Sequence, residues 1–403
     1  MSSRYDVVVV GGRVAGASTA LLLARAGARV ALVDRSAYGT DTLSTHGLMR
    51  AGVLQLSRWG LLDDVIGAAT PAIRRTTFHY DDGESVPVSI RPSAGVDALY
   101  APRRHLLDRI LVDAAAEAGA IVRHDTTVTA LLRDEGDRVN GVRVLDRSGS
   151  AVDLRAAITV GADGIRSTVA DQAGAHVVRQ GRSRSAILYR YLSDVPAEGY
   201  EWGYGAGSAA GFIPTNEGLT CVFVGSTPAR LRVLRSGGTE HAFATLLAGT
   251  APRLAERLTS AEPVGGMRGW AGVAGFVRHS WGPGWALVGD AGYFKDPLTT
   301  HGMTDALRDA ELLACEILES LGGVVPEAVA LARYQAKREQ LSRSLFDATE
   351  AVASYEWDGE QVRALLRQVS SAMSDEVDHL QSLPDLRGGV GRAPVLPPGQ
   401  ARA

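Results

Sequence analysis

Of 403 residues only two are cysteine, Cys221 and Cys315, so the chain has no disulfide framework and no cysteine-built metal cluster. No CxxC pair occurs, which removes dithiol redox chemistry. Lysine is almost missing as well. Lys295 and Lys337 are the only two, and the rest of the 42 basic residues are arginine. With the heavy use of alanine and glycine, this bias reflects GC-rich coding rather than a function. The formal net charge is −3 and no long basic run appears, which argues against a nucleic-acid partner. No stretch approaches the roughly 20 apolar residues of a membrane span. The chain enters a core strand by residue 5, so no signal peptide is expected, and the expected setting is a reducing cytoplasm without a membrane partner. What remains is a chain 45% hydrophobic and 22% charged, long enough for two lobes.

The most informative stretch is residues 5–34, YDVVVVGGRVAGASTALLLARAGARVALVD. Val7 to Val10 are an uninterrupted β-branched run, as in a parallel strand buried on both faces. Gly11, Gly12 and Gly16 bracket a tight turn, and Ala15 lies inside it. Ala17 to Ala26 read as a helix that Gly27 ends, Ala28 to Val33 as a second strand, and Asp34 closes the unit. This order sets free backbone N–H groups and a helix dipole against a pyrophosphate, with an acid about 20 residues on for ribose hydroxyls. The fingerprint GxGxxG has Arg13 at its second glycine. If that turn needs positive φ, Arg13 costs about 1–2 kcal/mol. A guanidinium about 4 Å from a phosphate offsets this by up to ~4 kcal/mol, so Arg13 is read as a phosphate neighbour.

Further along, Ser44 to Ile66 predict a loop and an amphipathic helix, and Thr76 to Ile90 two strands turning at Asp82-Gly83. Arg104 to Ala118 predict a helix, Val128 to Leu131 and Val139 to Leu145 a meander, and Ala157 to Val160 a buried strand ending in GADG. Between Ser185 and Val224 the pattern is four alternating strands without helices. Glu240 to Leu258, Ala306 to Leu321, Glu327 to Glu350 and Gln361 to Leu380 predict helices, and Trp285 to Val288 a buried strand.

Four segments recur in order: the glycine turn, Arg104-x-x-Leu107-x-x-x-Leu111, Gly161-Ala162-Asp163-Gly164 after a strand, and Gly289-Asp290 running on to Pro297. Together they resemble the class A flavoprotein monooxygenases, the para-hydroxybenzoate hydroxylase-like group, within the glutathione-reductase-type FAD superfamily. The resemblance covers most of residues 5–345. It implies an α/β fold: a Rossmann-like (GR2-type) three-layer FAD-binding domain, a second, mainly antiparallel β-sheet substrate domain, and C-terminal helices. The expected boundaries are 1–75, 101–180 and 276–345 for the FAD-binding domain and 76–100 with 181–275 for the sheet domain. Residues 346–385 are expected as C-terminal helices and 386–403 as a disordered tail.

The resemblance also implies roles. Gly11, Gly12, Arg13, Ala15, Gly16, Asp34 and Arg35 form the dinucleotide side, with Asp34 on the adenosine ribose. Arg104 lies along the flavin or its phosphates, and Val128 supplies a backbone contact to adenine. Asp163 and Gly164 are the DG motif, serving FAD and transient NADPH or NADH. Gly289 and Asp290 are the GD motif, with Asp290 on the ribityl chain. Pro297, Gly302 and Met303 open a helix whose dipole faces the flavin N1–C2=O edge. Two departures stand out. The common GDAAH reads GDAGY, giving Tyr293, and PxxGQGxN reads Pro297, Thr300, His301, Gly302 and Thr304. His301, His46 and Tyr293 are the catalytic candidates. For His301 a helix-capping side chain is the competing and favoured reading over a flavin-side proton donor. Lys295 lies near the isoalloxazine or, as loop lysines ordinarily do, in solvent.

With no second dinucleotide unit, the implied chemistry is an NAD(P)H-consuming monooxygenase in which O2 reacts at the flavin and an aromatic or polyketide-like molecule is hydroxylated, as in secondary metabolism. Phe78, Tyr189, Tyr191, Trp202, Tyr204 and Phe212 are candidate lining residues. The main alternative is a geranylgeranyl-reductase-like flavoprotein, because PLTTHG is close to that group's flavin loop. A halogenase is disfavoured: the WxWxIP tryptophans are missing from GFIP, and no lysine precedes Lys295.

Overall fold

A computed structural model describes residues 3–383. The expected tail, 386–403, lies outside them. The valine run sits mid-sheet, with Ser3–Val10 paired in parallel to Val30–Val33 on one side and Ala151–Gly161 on the other. Alternate side chains meet two different layers. Val7 and Val9 pack against helices Val14–Arg25, Arg104–Glu117 and Gly302–Leu321. Val8 and Val10 pack under the meander Thr127–Arg133 and Val139–Leu145. Both faces are dry, so no polar residue is tolerated in the run. The sheet order is Trp281–Gly282, Trp285–Leu287, Ala151–Gly161, Ser3–Val10, Val30–Val33, Ile121–Arg123, with the meander attached to Ala151–Gly161.

The second sheet has seven strands in the order Glu262–Trp270, Ala186–Ser193, Thr220–Ser226, Ser208–Pro214, Tyr200–Gly205, Arg75–Tyr80, Ser85–Ser89. All neighbours are antiparallel except Tyr200–Gly205 with Arg75–Tyr80. Its two faces follow the strand period of two. Ile187, Tyr189 and Tyr191 point toward helices Glu327–Ala353 and Gly359–Gln381. Leu188, Leu192 and Phe212 point the other way, under Phe243, Leu246 and Leu254.

Several expectations change. The single helix over 240–258 is two, Thr239–Thr250 and Pro252–Glu256, because Pro252 has no N–H to continue the ladder. The helix expected within 44–66 also splits, into Arg50–Arg58 and Leu62–Gly67 around Gly60 at φ +74°. A small sheet of Val177–Gln180, Phe276–Arg278 and Tyr293–Phe294 had no signal in the alternation pattern. Helix Glu327–Ala353 runs unbroken across the boundary expected at 345. With Gly359–Gln381 it fills the inner face of the sheet, so most of the aromatic lining is core. Phe212 is on the opposite face, Trp202 packs on Tyr200 and Phe223, and Tyr204 packs on Tyr80 and Trp357. Phe78 is partly buried against the same core.

Candidate active site

Three motifs converge at the carboxyl ends of the central strands. Gly11 has φ +105°, and a Cβ there would lie 2.4 Å from the Ala162 carbonyl oxygen of the GADG segment. At Gly16 a Cβ would lie 1.8 Å from the Gly11 carbonyl oxygen, and at Gly289 2.8 Å from Ala15 Cβ. Only glycine permits this approach, so turn, DG and GD segments form one rigid floor.

Along that floor the unsatisfied groups lie where an extended dinucleotide needs them. Helix Val14–Arg25 begins without a side-chain cap, which leaves its first-turn N–H donors for an anion. Asp34 Oδ2 accepts from Gly12 N at 2.6 Å and Oδ1 from Ser36 N at 2.6 Å, so each oxygen keeps a lone pair for a hydroxyl. Asp290 is half-buried and accepts no hydrogen bond from any described residue, which suits a polyol chain. Burial raises its carboxyl to about 6, against the lowering influence of Lys295 and Arg104. Helix Gly302–Leu321 also begins uncapped, and a Cβ at Gly302 would meet nothing within 4 Å, so its first turn faces open space. Met303 is half-buried beside it and Pro297 half-buried at the loop's start. These residues fit FAD.

Other candidates sit differently from expectation. Arg13 is extended, at φ −92° and ψ −170°, so its turn needs no positive φ and no strain arises. Its Nη1 donates to Thr40 O at 2.5 Å and to Asp108 Oδ2 at 2.8 Å rather than standing free for a phosphate. Arg104 Nε and Nη2 donate to Asp108 Oδ1, both at 3.1 Å, so the trio carries one net positive charge. Asp163 accepts from Ser167 Oγ at 2.5 Å, Thr168 N at 2.6 Å and Val169 N at 3.2 Å, at the start of the short helix Thr168–Gln172 that Ser167 caps. Gly164 follows at φ +79°. Arg35 is exposed, and Val128 lies in the meander paired with Val144.

Two backbone outliers face each other where the lobes meet. His46 has φ +66° and Thr300 has φ +52°, both left-handed, and for β-branched threonine this is a true outlier. Thr300 occupies the position at which the pattern PxxGQGxN carries glycine. The two segments touch: a Cβ at Gly47 would lie 2.6 Å from Thr300 Cγ2. His46 Nε2 makes a short hydrogen bond with the Tyr191 hydroxyl, and its Nδ1 has no partner among the described residues. Burial, together with the positive charge of Arg103 and Arg104, pushes its imidazole down to about 3. Burial likewise raises the Tyr189 and Tyr191 phenols above their ordinary value. Arg103 lies over the Tyr191 ring at 4.0 Å, and Asp41 holds Arg103 and Arg268 at 3.4 and 3.2 Å.

Behind the loop lies a buried charged cluster that sequence reasoning missed. His301 does not cap its helix and does not face the groove. Its Nε2 bonds Glu376 Oε2 at 2.6 Å, 75 residues along the chain. Glu376 Oε1 accepts from Arg308 Nη1 at 2.9 Å. Arg308 also donates to Asp305 at 2.9 Å, to Asp309 at 2.6 Å and to Ser342 Oγ at 3.0 Å. Lys295 is not solvated: it is 4% exposed and ion-paired with Asp305. Burial and the neighbouring Arg308 lower its ammonium to about 7. Burial lowers the His301 imidazole, against the raising influence of Glu376. Burial works to raise Glu376, but His301 and Arg308 outweigh it and keep the carboxylate ionised. Tyr293 is packed with Val277 and Phe346, with Lys295 over its ring at 5.1 Å, so its ring belongs to this core. A signal for Glu376 existed: Val369, Ala372, Glu376 and Leu380 share the buried stripe of one helix, and a charge in such a stripe demands a buried partner.

A family model described as an FAD binding domain matches residues 4–349. Digeranylgeranylglycerophospholipid reductase of Methanocella arvoryzae is 27% identical over 368 residues, covering 86% of this chain and 86% of that protein. Menaquinone reductase of Mycolicibacterium smegmatis is 31% identical over 347 residues, covering 80% of this chain and 78% of its own length. Among solved structures, PqsL of Pseudomonas aeruginosa, a probable FAD-dependent monooxygenase, gives a TM-score of 0.78 at 22% identity. That likeness covers 91% of this chain and all of PqsL, and it shows the shared fold. No helix among the described residues is long and apolar enough to cross a membrane.

Proposed function

Because this chain belongs to the FAD-binding-domain family, we propose that it is an FAD-dependent reductase that saturates a carbon–carbon double bond in an apolar, isoprenoid-type substrate. FAD, when bound and reduced by NADH or NADPH, supplies the hydride; the protein supplies the proton and the geometry. The observation that carries the reading is the His46–Tyr191 pair. With Nε2–H donating to Tyr191 Oη, the phenolic proton is free for delivery to carbon. Arg103 over the ring and the His46 N–H would then offset part of the burial that raises this phenol. Aromatic hydroxylation asks the opposite of a site, a group that takes a phenolic proton, and a His46 held neutral down to about pH 3 is a poor base. The printed names of the two curated relatives, both reductases, support the same direction.

Asp34 and Asp290 would hold the cofactor's ribose and ribityl hydroxyls, and the uncapped Gly302 helix would face its pyrimidine edge. Tyr200, Leu298 and the two long helices keep water from the sheet side. The test is anaerobic turnover in D2O with NADPH or NADH and geranylgeranyl-bearing lipids. At least one deuterium per saturated bond is expected, with a second wherever the reduced flavin N–H exchanges before transfer, and Tyr191→Phe should slow turnover about a hundredfold while FAD stays bound. Oxygen from labelled O2 in a product that keeps its double bonds would overturn the reductase reading in favour of a monooxygenase.

A further inference from the structure

We propose that the last helix, Gly359–Gln381, is a working part of the flavin site, and that Glu376 is a positioning residue holding the loop 295–301 and the first turn of helix Gly302–Leu321 in register for the isoalloxazine.

The loop holds only its first turn by itself, with Leu298 N donating to Asp296 Oδ1 at 3.0 Å and Thr300 N to the Pro297 carbonyl at 2.9 Å. Thr300 sits in the left-handed region at φ +52°, and such a conformation persists only where its surroundings over-determine it. The residue after it, His301, is at the N-cap position, and its carbonyl accepts from Asp305 N at 2.9 Å, but its side chain makes no bond to the first turn. Its side chain is spent on Glu376, which leaves the first-turn N–H groups of Gly302 and Met303 turned toward the open groove. Glu376 grips twice: one oxygen takes His301 and the other takes Arg308, about two turns further along the same helix. Arg308 in turn binds Ser342 of helix Glu327–Ala353, so three helices are fixed relative to each other through one carboxylate.

Stability alone is a weak reason to keep such a network. Buried ion pairs are often matched or bettered by apolar residues of the same size, whereas their directional bonds fix geometry. Nor is the cluster built for a metal. His301, Asp305 and Glu376 lie close enough to chelate one, but Arg308 and Lys295 already occupy their carboxylates with two positive charges. The cluster ties the loop and the first two turns of the helix to the two long C-terminal helices, and the loop and helix start are the part that would face the flavin ring.

The test uses full-length holoprotein carrying Glu376→Asp and Glu376→Gln. Aspartate keeps the charge and shortens the reach; glutamine keeps the reach and removes the charge. Displacing the helix dipole makes the reduced flavin anion harder to form, so both variants should show a lower flavin midpoint potential. The FAD dissociation constant should rise about tenfold in each, with apoprotein circular dichroism unchanged. If Glu376 acts only as a nearby negative charge, the glutamine variant shifts the potential upward and the aspartate variant leaves it in place, which overturns the proposal. Unchanged potential and affinity in both would also overturn it, as would loss of the apoprotein fold in both, which would make the cluster a folding element only. A wild-type protein that takes up no FAD would instead remove the cofactor reading itself.

Discussion

At position 300, glycine should be more stable than alanine, the reverse of the usual order. Thr300 is left-handed at φ +52°, and any residue with a Cβ carries a penalty of about 1–2 kcal/mol there. Thr300→Ala keeps that penalty and loses a methyl packed on Gly47, worth about 0.8 kcal/mol. Thr300→Gly loses the same methyl and about 0.5–1 kcal/mol to the freer unfolded chain, but it sheds the strain. The glycine variant should therefore fall within about 0.5 kcal/mol of wild type and exceed the alanine variant by roughly 0.5–1 kcal/mol. Urea denaturation of the FAD-free protein, followed by tryptophan fluorescence, reads this as a shift of midpoint at constant slope. Asp375, exposed inside helix Gly359–Gln381, is the control site. There alanine should exceed glycine by about 1 kcal/mol. If alanine equals or exceeds glycine at 300 as well, the backbone is not left-handed and the argument built on its strain fails.

Gly47→Ala should displace Thr300, because the new Cβ would lie 2.6 Å from Cγ2, and its cost should vanish in a Thr300→Gly background; a double-mutant cycle with zero coupling contradicts the contact. Asp290→Ala should weaken FAD binding about ten- to a hundredfold in a fluorescence titration. The Asp290 carboxyl is raised from 3.8 to about 6, so its contribution to the FAD-free fold is complete below pH 3.8 and lost as pH rises through 6, and the same variant should gain apoprotein stability above that pH. His46 is the opposite case, lowered from 6.5 to about 3: its contribution is present above pH 6.5 and lost as pH falls toward 3. His46→Asn, which tolerates the left-handed backbone and does not titrate, should flatten that acid limb, and an unchanged limb assigns it to other groups.

The glycine turn, its flanking strands and Asp34 could be read from the sequence because each is a local event within 30 residues. The long helices were visible by period alone, and the sheet domain by its alternation. Partner choice was not visible. Nothing in residues 361–380 says whether the stripe faces solvent, another copy or the sheet, and so Trp202 and Tyr204 were read as part of a substrate roof when they pack in one core with Val362, Val369 and Ala372. Nor does spacing report where a side chain on a loop points. Arg13 turns to Asp108, Asp163 to the helix after it, and Lys295 to Asp305, each satisfied by a group that the chain brings up only on folding.

The departures from the PxxGQGxN and GDAAH patterns look, residue by residue, like damage to a flavin site, yet each has a distant partner. Threonine in place of glycine at 300 is accommodated by Gly47, whose missing Cβ makes room for the extra methyl. Histidine in place of glutamine at 301 is matched by Glu376. Tyrosine at 293 fits between Val277 and Phe346 with a lysine over its face. Isolated substitutions at a working site would leave cavities, clashes or unpaired charge, each costing on the order of 1–3 kcal/mol, and three uncompensated ones would consume much of a marginal fold. Matched changes of this kind point to a site rebuilt as a unit, with backbone donors and Asp290 left facing the groove while the wall around the ring was exchanged. That wall is where reactivity is decided once the coenzyme is fixed. A fold shared with a probable FAD-dependent monooxygenase at 22% identity therefore carries little weight for the reaction, and the proposed reading rests on the His46–Tyr191 pair instead.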